Sequence, residues 1–92
     1  MESTIEKVKD SLAKNEAMIN DLRLREQGIM VDVAALIACR NDFFNRGVKD
    51  KEAQIEVLIQ ENLENYNRNV AFRKHLEKEQ QTLGNLLSTL TS

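Results

Sequence analysis

From Ile5 onward, positions spaced alternately three and four residues apart hold Ile5, Val8, Leu12, Asn15, Ile19, Leu22, Glu26, Ile29, Val33, Leu36, Arg40 and Phe43. Nine of these twelve are apolar. A 3-4 spacing kept over roughly six heptads is the a/d seam of a coiled-coil helix, and it predicts a helix over about 3–45. Gly28 lies inside this run and costs about 1 kcal/mol relative to Ala in a helix interior. The seam nevertheless keeps phase from Glu26 to Ile29, so one helix is expected, with room for a bend.

Asn45-Arg46-Gly47 closes that helix, because glycine suits the left-handed residue just past a helix C-terminus. Asp50 and Glu52 then place negative charge in the first turn of a second helix, where the dipole favours it. The second seam is weaker: Ile55, Ile59, Asn62, Tyr66, Asn69, Arg73, Leu76, Gln80, Leu83, Leu87 and Leu90, seven of the eleven apolar. A second helix over about 50–87 follows, its last turns expected to fray after Gly84 through the Ser88-to-Ser92 ending. A turn over about 45–49 forces the two helices to be antiparallel neighbours.

The two seams agree in register. Ile5 and Leu90, Leu12 and Leu83, Ile19 and Leu76, and Leu36 and Ile59 are each equidistant from the junction of Gly47 and Val48. Under the same rule Asn15 meets Gln80 and Glu26 meets Asn69, so polar layers should face polar layers and hold register at some cost in stability. The expected fold is therefore all-α, an antiparallel two-helix coiled-coil hairpin in a single domain spanning 1–92. The stretch Phe44-Asn45-Arg46-Gly47 has no Trp, which sets it apart from small secreted helical hairpins with a Trp-x-Gly turn.

One seam does not use all the apolar residues. Met30, Val31, Ala34, Ile37, Ala38 and Phe44 lie outside it on the first helix, as do Val57, Leu58 and Leu63 on the second. The block from Ile29 to Cys39 is apolar on nearly every side, which marks a buried helix. Large bare apolar patches are rare on monomers, so these nine residues form the expected protein-interaction surface. A second copy is the leading expectation for its cover, giving a homodimeric four-helix bundle. Another helical protein, or a three-helix monomer broken at Gly28, would serve as well. Phe43, Arg46 and Lys49 form a candidate binding tip at the turn, of the residue types that anchor interfaces. Against that, basic residues there also suit a helix C-terminus.

Composition narrows the function classes. Proline is absent, aromatics are 4% and charged residues 30%, as in long helices. A net charge of −2 lacks the basic excess that phosphate neutralisation needs, so nucleic acid is disfavoured as a partner. An RNA-binding bundle using Arg68, Arg73, Lys74, His75 and Lys78 on the second helix is the alternative reading, and a structural subunit of a larger assembly is another. His75 has no second His or Cys in helical reach, and no phosphate loop, nucleophile elbow or zinc spacing occurs. No catalytic residue, metal, cofactor or small-molecule substrate is expected. Asp42 and Asp50 flank the turn, but Asp50 is better explained as a helix-start residue. Cys39 is expected to be a buried free thiol in a reducing compartment. The start lacks a signal-peptide pattern and the longest apolar block is too short to span a bilayer. A soluble, cytoplasmic adaptor, assembly factor, chaperone or regulator is the resulting expectation.

Overall fold

A computed structural model of the chain describes residues 2–92. Two long helices, α1 (Glu2–Asn45) and α2 (Lys49–Thr91), pack against each other as a hairpin, with no strand among the described residues. Helix α1 runs unbroken through Gly28, so the three-helix arrangement broken at that glycine does not form. Past Gly84 the chain is still helical. Helix α2 continues to Thr91, and Thr89 and Thr91 hydroxyls donate to the carbonyls of Asn85 and Leu87 one turn earlier. These short polar side chains satisfy themselves on their own helix instead of competing with it.

The turn is built from the backbone. Val48 N donates to Phe43 O at 3.0 Å and Gly47 N to Phe44 O at 3.1 Å, the bond pair of a Schellman cap. Such a cap needs a left-handed residue, and Gly47 takes φ 73°. Val48 is the residue just before α2, its carbonyl accepting the helix's first bond from Glu52 N at 3.1 Å. Asp50 and Glu52 occupy the first turn of α2 as the dipole argument expects.

Burial follows the seam closely. Every seam position named above is buried or half-buried on both helices. On α1, Ile37 alone among the other described residues escapes full exposure. Counting Ile5 as a and Val8 as d on α1, and Ile55 as d and Ile59 as a on α2, the flanking e column of α2 is also half-buried: Glu56, Leu63, Val70, Glu77 and Gly84. No described side chain is completely buried, as expected where two helices share one layer of contacts.

The chain divides into two compact units. The first joins the chain up to Arg23 with Val70–Ser92. Ile19, Leu22 and Leu76 form its buried cluster, with Val8 buried as well. Asn15 and Gln80 are both half-buried, but the expected side-chain pairing between them is not made. Gln80 Nε2 instead donates to Leu12 O at 3.0 Å, and Gln80 Oε1 is buried without a partner. The second unit is Leu24–Asn69 and contains the turn. Val33 and Ile59, each 3% exposed, are its best-buried residues, and Glu26 is the buried carboxylate.

Two substitutions test this packing. Gln80→Leu removes a buried, unpartnered oxygen, while the Leu12 carbonyl keeps its helical bond; the expected gain is about 1 kcal/mol. Gly28→Ala adds a methyl where nothing lies within 4 Å, and should also stabilise by about 1 kcal/mol. Urea unfolding at matched protein concentration measures both. A lower midpoint for Gln80→Leu would show that the amide is needed where it stands.

Candidate protein-interaction surface

Around a helix the columns e, b and f are consecutive and span about 100°. On α1 all six of the anticipated interaction residues fall in them: Met30, Ile37 and Phe44 at e, Ala34 at b, Val31 and Ala38 at f. The structure leaves this face bare, with Val31 69%, Phe44 66% and Met30 43% exposed, and Ile37 half-covered. Leu24, also at f, is 66% exposed and extends the face by two turns. Gln27 and Asn41 complete the b column and are exposed too.

The contrast in charge along α1 sets this face apart. From Glu6 to Arg23, eight of the eleven outer positions (columns e, b, f and c) carry charge: Glu6, Lys7, Lys9, Asp10, Lys14, Glu16, Asp21 and Arg23. From Leu24 to Asn41 the same four columns hold Leu, Gln, Gly, Met, Val, Ala, Ala, Ile, Ala and Asn, and not one charge. A solvated helix face ordinarily carries charges, and this exposed one carries none. Leu24, Gln27 and Asn41 belong to this face although apolar seam-counting passes them over. The missing charge was their signal.

On α2 the anticipated residues separate. Leu63 at e, half-buried, and Val57 at f, 57% exposed, flank the same side of the seam as the bare α1 columns. Leu58 does not join them. It lies at g, on the opposite flank, where it borders a shallow depression with Asp32, Ala35, Leu36 and Asn62. Met18, Phe72 and Leu86 are further exposed apolar side chains, all at g and outside the face.

Cys39 is exposed, against the expectation of burial, because g is outside the seam and a single layer of two helices cannot cover it. The same reason corrects the reading of the block from Ile29 to Cys39 as buried: within one chain only Val33 of that block is buried, and Val31, Ala34, Ala35, Ala38 and Cys39 are exposed.

At the turn, the proposed tip is internally engaged. The Arg46 guanidinium lies over the Phe43 ring, 5.1 Å from its centroid, and Arg46 Nε pairs with Asp42 Oδ2 at 3.3 Å. Phe43 is half-buried on the seam, while Lys49 is exposed. Arg40 points to neither tip nor solvent alone. Its Nη1 meets Glu56 Oε2 at 2.7 Å, an ion pair within the second unit that converts a polar seam residue into a crosslink between helices. In the first unit Glu77 Oε1 accepts from both Arg23 and Arg73, each at 2.9 Å. Seam periodicity marks Arg40 and Arg73 as interruptions; Arg73 finds its carboxylate four residues on along its own helix, whereas the partner of Arg40 lies across the hairpin. His75 Nε2 stands 3.7 Å from Glu79 Oε1 beside an open groove lined also by Ser11, Asn15 and Lys78. Among the described residues no group of three or more His, Cys, Asp or Glu could hold a metal ion, and no helix is long and apolar enough to cross a membrane.

The ion pairs have a pH signature. The Arg23 hydrogen bond, and then that of Arg73, hold the Glu77 carboxyl below its ordinary 4.5; Arg40, then Gln60, do the same for Glu56. A carboxyl with a depressed folded pKa binds protons more readily when unfolded. Its contribution is therefore complete above pH 4.5 and is lost as pH falls through the lower folded value. Thermal melts from neutral pH to about pH 3 should show Glu77→Gln less stable than the parent at neutral pH and the two converging on acidification. Parallel curves would mean that the pairing with Arg23 and Arg73 does not contribute. Compared with protein-family models, with curated proteins and with solved structures, the chain matches none.

Proposed function

We propose that this chain is a non-enzymatic helical interaction module, an adaptor, assembly factor, chaperone or regulator, which acts through the bare face of α1 beside the turn. The observation that carries the reading is the uncharged face from Leu24 to Asn41 on a helix whose preceding turns are densely charged. The hairpin seam accounts for the buried residues without using this face, so the face is available to a second chain. Covering it would bury Leu24, Met30, Val31 and Phe44 at about 25 cal/mol per Å² of apolar surface. Self-association into a two-fold four-helix bundle is the leading form, and another helical protein the alternative. Val57 and Leu63 would line its edge.

An RNA-binding role for the basic side of α2 draws less support. Arg73 is already held by Glu77 and His75 stands beside Glu79, which reduces the positive charge free to meet phosphate.

Three aspartate substitutions separate face from seam. Val31→Asp places a carboxylate at a 69% exposed position, where an isolated chain tolerates it but an apolar contact does not. Leu36→Asp strikes the half-buried seam and should melt the hairpin. Ile37→Asp, half-buried on the flank, should lose association with a smaller loss of helicity. The measurement is the mass of the particle that contains the chain, purified and in extract of its native source, together with helical circular dichroism. A parent chain at monomer mass in both settings would sink the proposal. So would a Val31→Asp variant that keeps the parent's mass.

A further inference from the structure

The bare face of α1 is close to palindromic about Ala34. Three residues to either side stand Val31 and Ile37, four to either side Met30 and Ala38, seven Gln27 and Asn41, and ten Leu24 and Phe44. Apolar matches apolar at each step, and amide matches amide at the one polar step. Ala34 itself occupies the b column, the middle of the e-b-f face. All nine residues lie within the second compact unit.

This symmetry has a physical reading. When two identical helices pack antiparallel about a two-fold axis, residues equally far before and after the axis share one level. We infer that a second copy of this chain is the occupant of the face, docked with its α1 antiparallel to the first α1 and the two-fold axis passing Ala34. The inference rests on the reading of the face as an interaction surface and adds the partner and the register to it.

Each level of that arrangement is chemically sensible. At the axis the two Ala34 methyls let the helices approach closely, since small residues at a crossing point permit it. At the next levels long Met30 shares its height with short Ala38, so bulk interleaves with space. Val31 shares its height with Ile37, an apolar pair. Further out Gln27 and Asn41 come level, and two carboxamides can each donate to and accept from the other. At both ends Leu24 and Phe44 close the apolar strip. No charge is brought level with apolar residues at any of these steps. A parallel pairing would instead place each residue at its own level, with Met30 on Met30 and Phe44 on Phe44, leaving a gap at both alanines. A near-antiparallel crossing of about 20° keeps all the levels in reach, as in four-helix bundles.

Disulfide trapping reads the register directly, once the exposed Cys39 is replaced by Ser. Three variants in that background suffice: Ala34→Cys, Gln27→Cys and Asn41→Cys, each at an exposed position that leaves the hairpin seam untouched. The parent should sediment as a dimer at micromolar concentration. Ala34→Cys should oxidise to a covalent dimer with unchanged helicity. Gln27→Cys and Asn41→Cys should crosslink to each other when mixed, many times faster than either crosslinks to itself. Faster self-crosslinking of each would overturn the antiparallel register and indicate parallel helices. A dimer in which Ala34→Cys does not crosslink would overturn the axis at Ala34, while the interaction reading stands. A monomer for the purified parent would overturn the second copy as occupant. The interaction reading would then be decided by the particle mass in native extract.

Discussion

Everything in this structure depends on one narrow seam, a single layer of a and d side chains shared by two helices. Each helix offers the other only one stripe, so among the described residues burial is confined to that stripe, to the column beside it on α2 and to Ile37 on α1. Val33, Ile59 and Leu76 come nearest to complete burial, and none reaches it. Helix α1 carries 44 residues and α2 43, so the area is gained by length and not by depth. None of the described residues is completely buried, and polar side chains such as Arg40, Arg73 and Gln80 sit half-buried in the layer.

The arginines in the layer are paired. Arg40 and Arg73 occupy seam positions that would be apolar in an ideal coil, yet each is a third or less exposed and reaches a carboxylate in the neighbouring column. A long side chain can lay its methylenes along the seam while its charged end pairs at the edge. The pairs are partly solvated, so their value lies in specificity of register more than in stability. Arg40 with Glu56 and Arg23 with Glu77 each join α1 to α2 across the seam, and a shifted pairing of the helices would separate these charges. Gln80 is the imperfect member, with its nitrogen satisfied on Leu12 and its oxygen unpaired.

The same thin architecture exposes what it does not use. In a bundle or a three-layer fold, the residues from Leu24 to Phe44 would turn their second stripe into a core. Here that stripe meets solvent, uncharged, beside a turn that is itself capped and ion-paired. Exposure of Cys39 and of the alanines around it follows from the same geometry.

How much of this was legible beforehand follows from the range of each interaction. Helix existence, the turn at Gly47 and the antiparallel pairing rest on local periodicity, on a glycine suited to φ 73° and on the symmetry of two seams, all of which are written along the chain. The six α1 residues of the candidate face were legible for the same reason, as apolar positions off the seam. The seam itself puts Leu58 at g and Leu63 at e, on opposite flanks, but how far each flank is covered depends on the assembled pair of helices. The sequence alone could not tell that Arg40 would meet Glu56, that Arg23 would join Arg73 on Glu77, or that Gln80 would pass over Asn15 for a main-chain carbonyl. Those are choices among partners within reach of long, flexible side chains. Periodicity determined which residues faced the seam, whereas only the assembled hairpin decided which atoms met there and which apolar columns were left uncovered.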